Sequence, residues 1–217
     1  MVSGETYHIF NRSVQRIPIF KGEREYKIFS EAARFYVQAS PPTKFSLFRI
    51  NPQRFSPLDM NDVLVTVVNY CLMPNHFHFT LRQEKENGIR QFVQRLTNSF
   101  AHYFSKKYSN QGPLFQGNFK AVRVETDEQL VHLSRYIHLN PVTSYLVEKP
   151  EQYPYSSYNV YLGKLKSDWV DPIIVLQQFK STKKYEDFVL PQKDYQRTLD
   201  KIKHLTLEGE RLKTSIV

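Results

Sequence analysis

The chain has 217 residues, 41% hydrophobic and 14% aromatic, with 7 glycines and one cysteine; this composition excludes fibrous and low-complexity classes and predicts one globular domain, with or without an appendage. No stretch approaches the ~18 apolar residues of a membrane span, no charged-then-apolar leader opens the chain, and Cys71 alone cannot close an internal disulfide, so a cytoplasmic protein with no membrane partner is expected. The net charge of +9 and pI of about 9.5 favour polyanionic partners, of which nucleic acid is the commonest.

In chain order, TYHIFNR (6–12) alternates and reads as a strand, and GEREYKIFSEAARFYVQ (22–38) spaces Tyr26, Phe29, Ala33 and Tyr36 along one helical face. The proline-rich stretch 39–59 is irregular, with room for a short extra strand at FSLFRI (45–50). DVLVTVVNYCL (62–72) is the strongest strand signal. MPN turns the chain, and HFHFTLR (76–82) returns with Phe77, Phe79 and Leu81 on one face and His76, His78 and Thr80 on the other. Ile89, Phe92, Val93, Leu96, Phe100, Tyr103 and Phe104 then repeat at helical spacing; the polar positions carry Arg90, Arg95, Lys106 and Lys107, with no acidic residue between 88 and 112. QGPLFQGNF is a loop and NFKAVRVE (118–125) a fourth strand. Thr126 and Gln129 form a capping box for the helix DEQLVHLSRYIHLN, which Pro141 is expected to end.

The order β-α-β-β-α-β plus a helix predicts an α+β fold of the ferredoxin-like βαββαβ type: an antiparallel sheet with helices on one face, a further helix, and a C-terminal helical extension. Residues 1–145 are expected to form the main domain. Residues 146–217 are expected to pack on it as an extension, with helices at 171–188 and 193–212.

In an extended strand His76 and His78 lie about 6.5–7 Å apart on one face. Two imidazoles so placed suit one divalent ion, and they are equally compatible with ordinary strand residues. On the capped helix, His132 lies four residues before Tyr136 and Asn140 four after, so the three share a face beside the apolar stripe Leu130, Leu133 and Ile137. If that helix crosses the polar face of the sheet, a histidine pair, a phenol and a neutral amide converge. A phenol with a pKa near 10 needs help to act as a nucleophile, and a nearby cation both favours its oxyanion and polarises a phosphoryl oxygen. That combination suggests phosphoryl transfer to tyrosine; the plainer reading makes Tyr136 one of 14 tyrosines half-buried in the fold.

The stretches YHIFNRSVQRIPIF, YCLMPNHFHFTLR, GPLFQGNFKAVRVE, RYIHLNPV and YPYSSYNVYLG, in order from residue 7 to 163, resemble the single-tyrosine transposases of the HUH endonuclease superfamily, and among them the REP-associated tyrosine transposases. The resemblance implies His76 and His78 as metal ligands, Tyr136 as the catalytic nucleophile, Asn140 as the ligand that completes the metal site, and Mg2+ or Mn2+ as cofactor. It further implies cleavage and rejoining of single-stranded DNA beside hairpin (palindromic) sequences, through a 5′-phosphotyrosine with a free 3′-OH. Relatives act as monomers or as homodimers. Tyr155 stands where the family usually has tryptophan, and 39–59 is longer than the family pattern.

Two other readings remain open: a hairpin DNA-binding protein without catalysis, and a metal-dependent phosphodiester hydrolase that uses water. For proton removal from Tyr136, a metal-associated water and His132 are the candidates. Phosphate contacts are expected from Arg12, Arg82, Arg90, Arg95, Lys106, Lys107, Lys120, Arg123 and Arg135, with exposed aromatics stacking on bases. Arg12, Lys120 and Arg123 lead that set because their strands join the sheet that bears the histidines.

Overall fold

Alternating burial along Thr6–Arg12, with Tyr7, Ile9 and Asn11 turned inward, makes β1 a strand with two different faces. In the computed structural model, which describes residues 1–192, it is followed by α1 (Glu23–Tyr36), α2 (Phe45–Ile50), β2 (Val65–Met73), β3 (His76–Gln83), α3 (Gly88–Tyr108), β4 (Lys120–Arg123), α4 (Asp127–Thr143), α5 (Tyr158–Tyr161), α6 (Ile173–Leu176) and α7 (Thr182–Val189). The strands form one antiparallel sheet in the order β2-β3-β1-β4, the ferredoxin-like arrangement expected from the element order.

The inward residues of β1 and β3, Ile9, Phe77, Phe79 and Leu81, meet Phe29 of α1 and Phe92, Leu96 and Phe100 of α3 in the main core. Phe77 lies 5.4 Å from the Phe29 ring and Phe79 meets Phe92 edge-on at 5.8 Å, arrangements that favour aromatic pairs. In β2 a register shift between Val67 and Asn69 inserts one residue. Odd positions Val65 and Val67 and then even positions Tyr70 and Leu72 therefore all contribute to this same core. The opposite side of β2 receives α4: Ile137 clusters with Cys71 and Met73, while Leu130, Leu139 and Val142 cluster with Val68, Tyr158, Tyr161, Val175, Tyr185 and Val189. Single bridges from Ser156 to Cys71 and from Val170 to Val67 cover the outer edge of β2, which would otherwise offer unpaired backbone groups.

FSLFRI is a helix, not the extra strand its composition suggested. Phe45 and Phe48, three residues apart, both pack on Phe35 at 5.5 and 5.0 Å, whereas Leu47 and Ile50 are exposed, which is a helical division of faces. Pro141 does not end α4, which runs on to Thr143. Proline removes one N–H, but buried Leu139 and Val142 hold the last turn down, and the Thr143 hydroxyl donates to the Leu139 carbonyl at 2.8 Å. The helix expected over 171–188 is broken into α6 and α7, and the one expected over 193–212 lies outside the described residues. Among the described residues no helix is long and apolar enough to cross a membrane.

Gly88 opens α3 directly against the backbone of Leu64, and a Cβ there would stand 2.2 Å from the Leu64 carbonyl oxygen. Backbone cannot rotate away as a side chain can. Gly88→Ala is therefore expected to destabilise by about 2–4 kcal/mol, read as a lowered midpoint in denaturant titration.

Candidate active site

The strand register sets out the site. His76 stands opposite Arg12, His78 opposite Phe10, and Thr80 opposite His8, so the polar faces of β3 and β1 form one surface. The His76 and His78 rings are 5.0 Å apart and nearly perpendicular. His8 Nε2 lies 2.9 Å from His78 Nδ1, with the rings stacked 5.2 Å apart. Over this surface α4 brings Tyr136, whose ring meets His78 edge-on at 5.7 Å and His8 at 6.3 Å. Tyr136 is 37% exposed, whereas His78 and Asn140 are only 6% and 8% exposed. The phenol thus stands between solvent and the buried His78 imidazole, with Asn140 one turn further along the same helix.

The position of α4 follows from its own sequence. Thr126 accepts from the Gln129 amide at 3.1 Å, and the Gln129 side chain accepts in return from the Glu125 amide at 2.8 Å, so the helix start is fixed. The other end is tied by buried His138, whose Nδ1 lies 2.7 Å from the Tyr185 hydroxyl of α7 and whose Nε2 lies 2.8 Å from Ser157 Oγ. Burial pushes the His138 pKa down to about 3, so this imidazole is neutral in the folded chain. An unfolded histidine binds a proton near pH 6.5. Acidification from about pH 6.5 towards pH 3 therefore favours unfolding, and this contribution is fully present only above pH 6.5. Thermal melts across that range should show a loss on the order of 2–4 kcal/mol from this residue, absent in His138→Gln.

The site histidines are neutral as well. Burial lowers His8 and His76 to about 4, helped for His76 by Arg12; burial, His76, His8 and Arg12 hold His78 well below its ordinary value. The nitrogen that remains free on His76 follows from its neighbour. The Asn75 amide nitrogen donates to the Arg16 carbonyl at 2.9 Å, which turns Asn75 Oδ1 towards His76 Nδ1, 2.7 Å away. That oxygen only accepts, so Nδ1 carries the proton and Nε2 keeps its lone pair. Neutral imidazoles with protein-engaged Nδ1 atoms are the donor chemistry a divalent ion needs, so the residues present fit such an ion. Among the described residues no three His, Cys, Asp or Glu side chains group as a metal set; a third protein donor would be a neutral group such as Asn140.

The basic residues divide into two groups. Arg82 donates to Glu84 at 2.7 Å, Lys107 to Glu25 at 2.5 Å, and Arg123 pairs with Glu5 at 2.9 Å. Arg95 donates to the Ala39 carbonyl, and Arg135 stacks 4.2 Å over the Phe188 ring. Arg135 also donates to His132 Nδ1 at 2.7 Å. Arg12, Arg90, Lys106 and Lys120 have no acidic partner among the described residues. Arg12 faces the histidines, and Arg90 lines a cleft of about 380 Å³ with Gln94, Asn98, Phe115 and Phe119. Sequence reasoning missed His8 and Asn75. Asn75 adjoins the histidine pair in MPNHFH, whereas His8 is recognised only once β1 is placed beside β3.

The family model described as "Transposase IS200 like" matches residues 60–140, the span that contains His76, His78, Tyr136 and Asn140. The structure of a REP-associated tyrosine transposase bound to a REP hairpin resembles this chain with a TM-score of 0.53 and 15% identity, over 78% of this chain and 90% of that one. At that identity the likeness shows a shared fold alone. A Deinococcus radiodurans R1 structure, provisionally assigned as a transposase, overlaps with a TM-score of 0.37 and 16% identity, over 63% of this chain and 91% of that one. Among curated proteins no sequence matches.

Proposed function

We propose that this protein is a transposase that cuts and rejoins single-stranded DNA beside hairpin sequences, with Tyr136 as the nucleophile. The observation that carries the reading is Tyr136 set edge-on against His78 within the matched segment. The neighbouring structure with a bound REP hairpin supports a hairpin-bearing strand as the substrate.

The Tyr136 oxygen attacks the scissile phosphorus in line, forming a Tyr–O–P bond as the P–O3′ bond breaks. The phenolic proton is lost to solvent and the leaving oxygen gains one, so the products are a 5′-phosphotyrosine and a free 3′-OH. The phosphodiester energy is kept, and attack by a 3′-OH on the adduct reverses the step and joins strands. Within the site, His76 Nε2, His78 Nε2 and the Asn140 side-chain oxygen would hold Mg2+ or Mn2+. When bound, such an ion supplies Lewis-acid stabilisation of the charge that develops on the phosphate. Arg12, level with His76, adds a fixed positive charge to the same face.

The test is a denaturing gel of labelled hairpin-bearing single strands incubated with Mn2+ and full-length protein. A covalent protein–DNA band together with a free 3′-OH fragment is expected. Cut strands without an adduct would assign the chemistry to a water-using hydrolase. Retarded but uncut DNA would leave a binding protein.

A further inference from the structure

We infer that His8 is the positioning residue that fixes the tautomer of His78. The contact is specific: His8 Nε2 and His78 Nδ1 are 2.9 Å apart across the β1–β3 pair, so one of these nitrogens carries the proton and the other accepts it. If His8 donates, His78 keeps its proton on Nε2 and presents an N–H, not a lone pair, to the site. If His78 donates from Nδ1, its Nε2 lone pair is free, and His8 holds its own proton on Nδ1.

The geometry around His76 points to the second arrangement. There Asn75 Oδ1, oriented by the Arg16 carbonyl, forces the Nδ1–H form. With His8 as acceptor the two histidines become alike: each donates from Nδ1 to a protein group and each exposes Nε2. The partners come from different parts of the chain, Asn75 from the turn before β3 and His8 from β1. The stacked His8 ring also limits rotation of His78, and Phe10, 4.9 Å from His8 and 5.9 Å from His78, closes the side of the pair. His8 thus acts on the ligand and not on the substrate. The consequence for metal binding rests on the function proposed above; the tautomer itself does not.

Long-range ¹⁵N–¹H correlation spectra of metal-free, full-length protein should show His78 protonated on Nδ1 and bare on Nε2. His8→Leu should shift His78 towards the Nε2–H form and weaken Mn2+ binding, followed by calorimetry, about 10–100-fold. His8→Gln, whose side-chain oxygen can accept from Nδ1–H, should stay within about threefold of wild type. A wild-type His78 protonated on Nε2 would overturn the inference, as would unchanged Mn2+ affinity in a folded His8→Leu variant. Should the wild type bind no Mn2+ at all, the metal reading fails, and the spectrum alone judges His8.

Discussion

Tyr136→Phe is expected to abolish the covalent protein–DNA adduct and to lower strand cleavage by at least about 1000-fold, while the hairpin strand is still bound. The substitution removes one hydroxyl from a ring that is 37% exposed, and it keeps the ring that meets His78 and His8 edge-on. The helix below is held independently by its Thr126 cap, by Ile137 against Cys71 and Met73, and by the His138–Tyr185 contact. The melting temperature should therefore change little. A hydrolase that activates water at the same histidines would keep cutting in this variant, so gel and melting curve together separate loss of a nucleophile from loss of the fold.

The second large effect belongs to the histidine pair. His76→Ala and His78→Ala should each reduce Mn2+-supported cleavage by at least about 100-fold. In the wild type a chelator should stop cleavage and added Mn2+ restore it, whereas neither variant should recover at the same ion concentration. The two should differ in stability. His78 is buried beneath Tyr136, so its truncation leaves a small cavity and costs about 1–2 kcal/mol; His76 is only half-buried and should cost less. Equal cleavage by wild type and either variant across an Mn2+ titration, read on sequencing gels, would remove the pair from the chemistry.

Much of this site is legible in the sequence because it rests on short-range periodicities. Two-residue alternation put Phe77, Phe79 and Leu81 on one face and His76 and His78 on the other, and the main core bears that division out. The Thr126–Gln129 pattern marked the start of the helix, and four-residue spacing put Tyr136 and Asn140 a turn apart. What stayed hidden depends on contacts between distant segments. His8 becomes a site residue only through the pairing of β1 with β3, 70 positions away in the chain. Composition of FSLFRI favours a strand, but the helix wins because Phe45 and Phe48 must both reach Phe35. Charge is similarly ambiguous: Arg82, Lys107 and Arg123 look like phosphate ligands in the sequence, yet each has a carboxylate beside it in the fold.

Mass spectrometry of the trypsin-digested adduct shows whether Tyr136 itself becomes joined to DNA. Cleavage after Arg135 yields a peptide that begins at Tyr136. A 5′-linked nucleotide is expected on that peptide, with fragmentation placing it on Tyr136. A nucleotide on Tyr145 or on any other residue, or cut DNA with a free 5′-phosphate and no modified peptide, would contradict it.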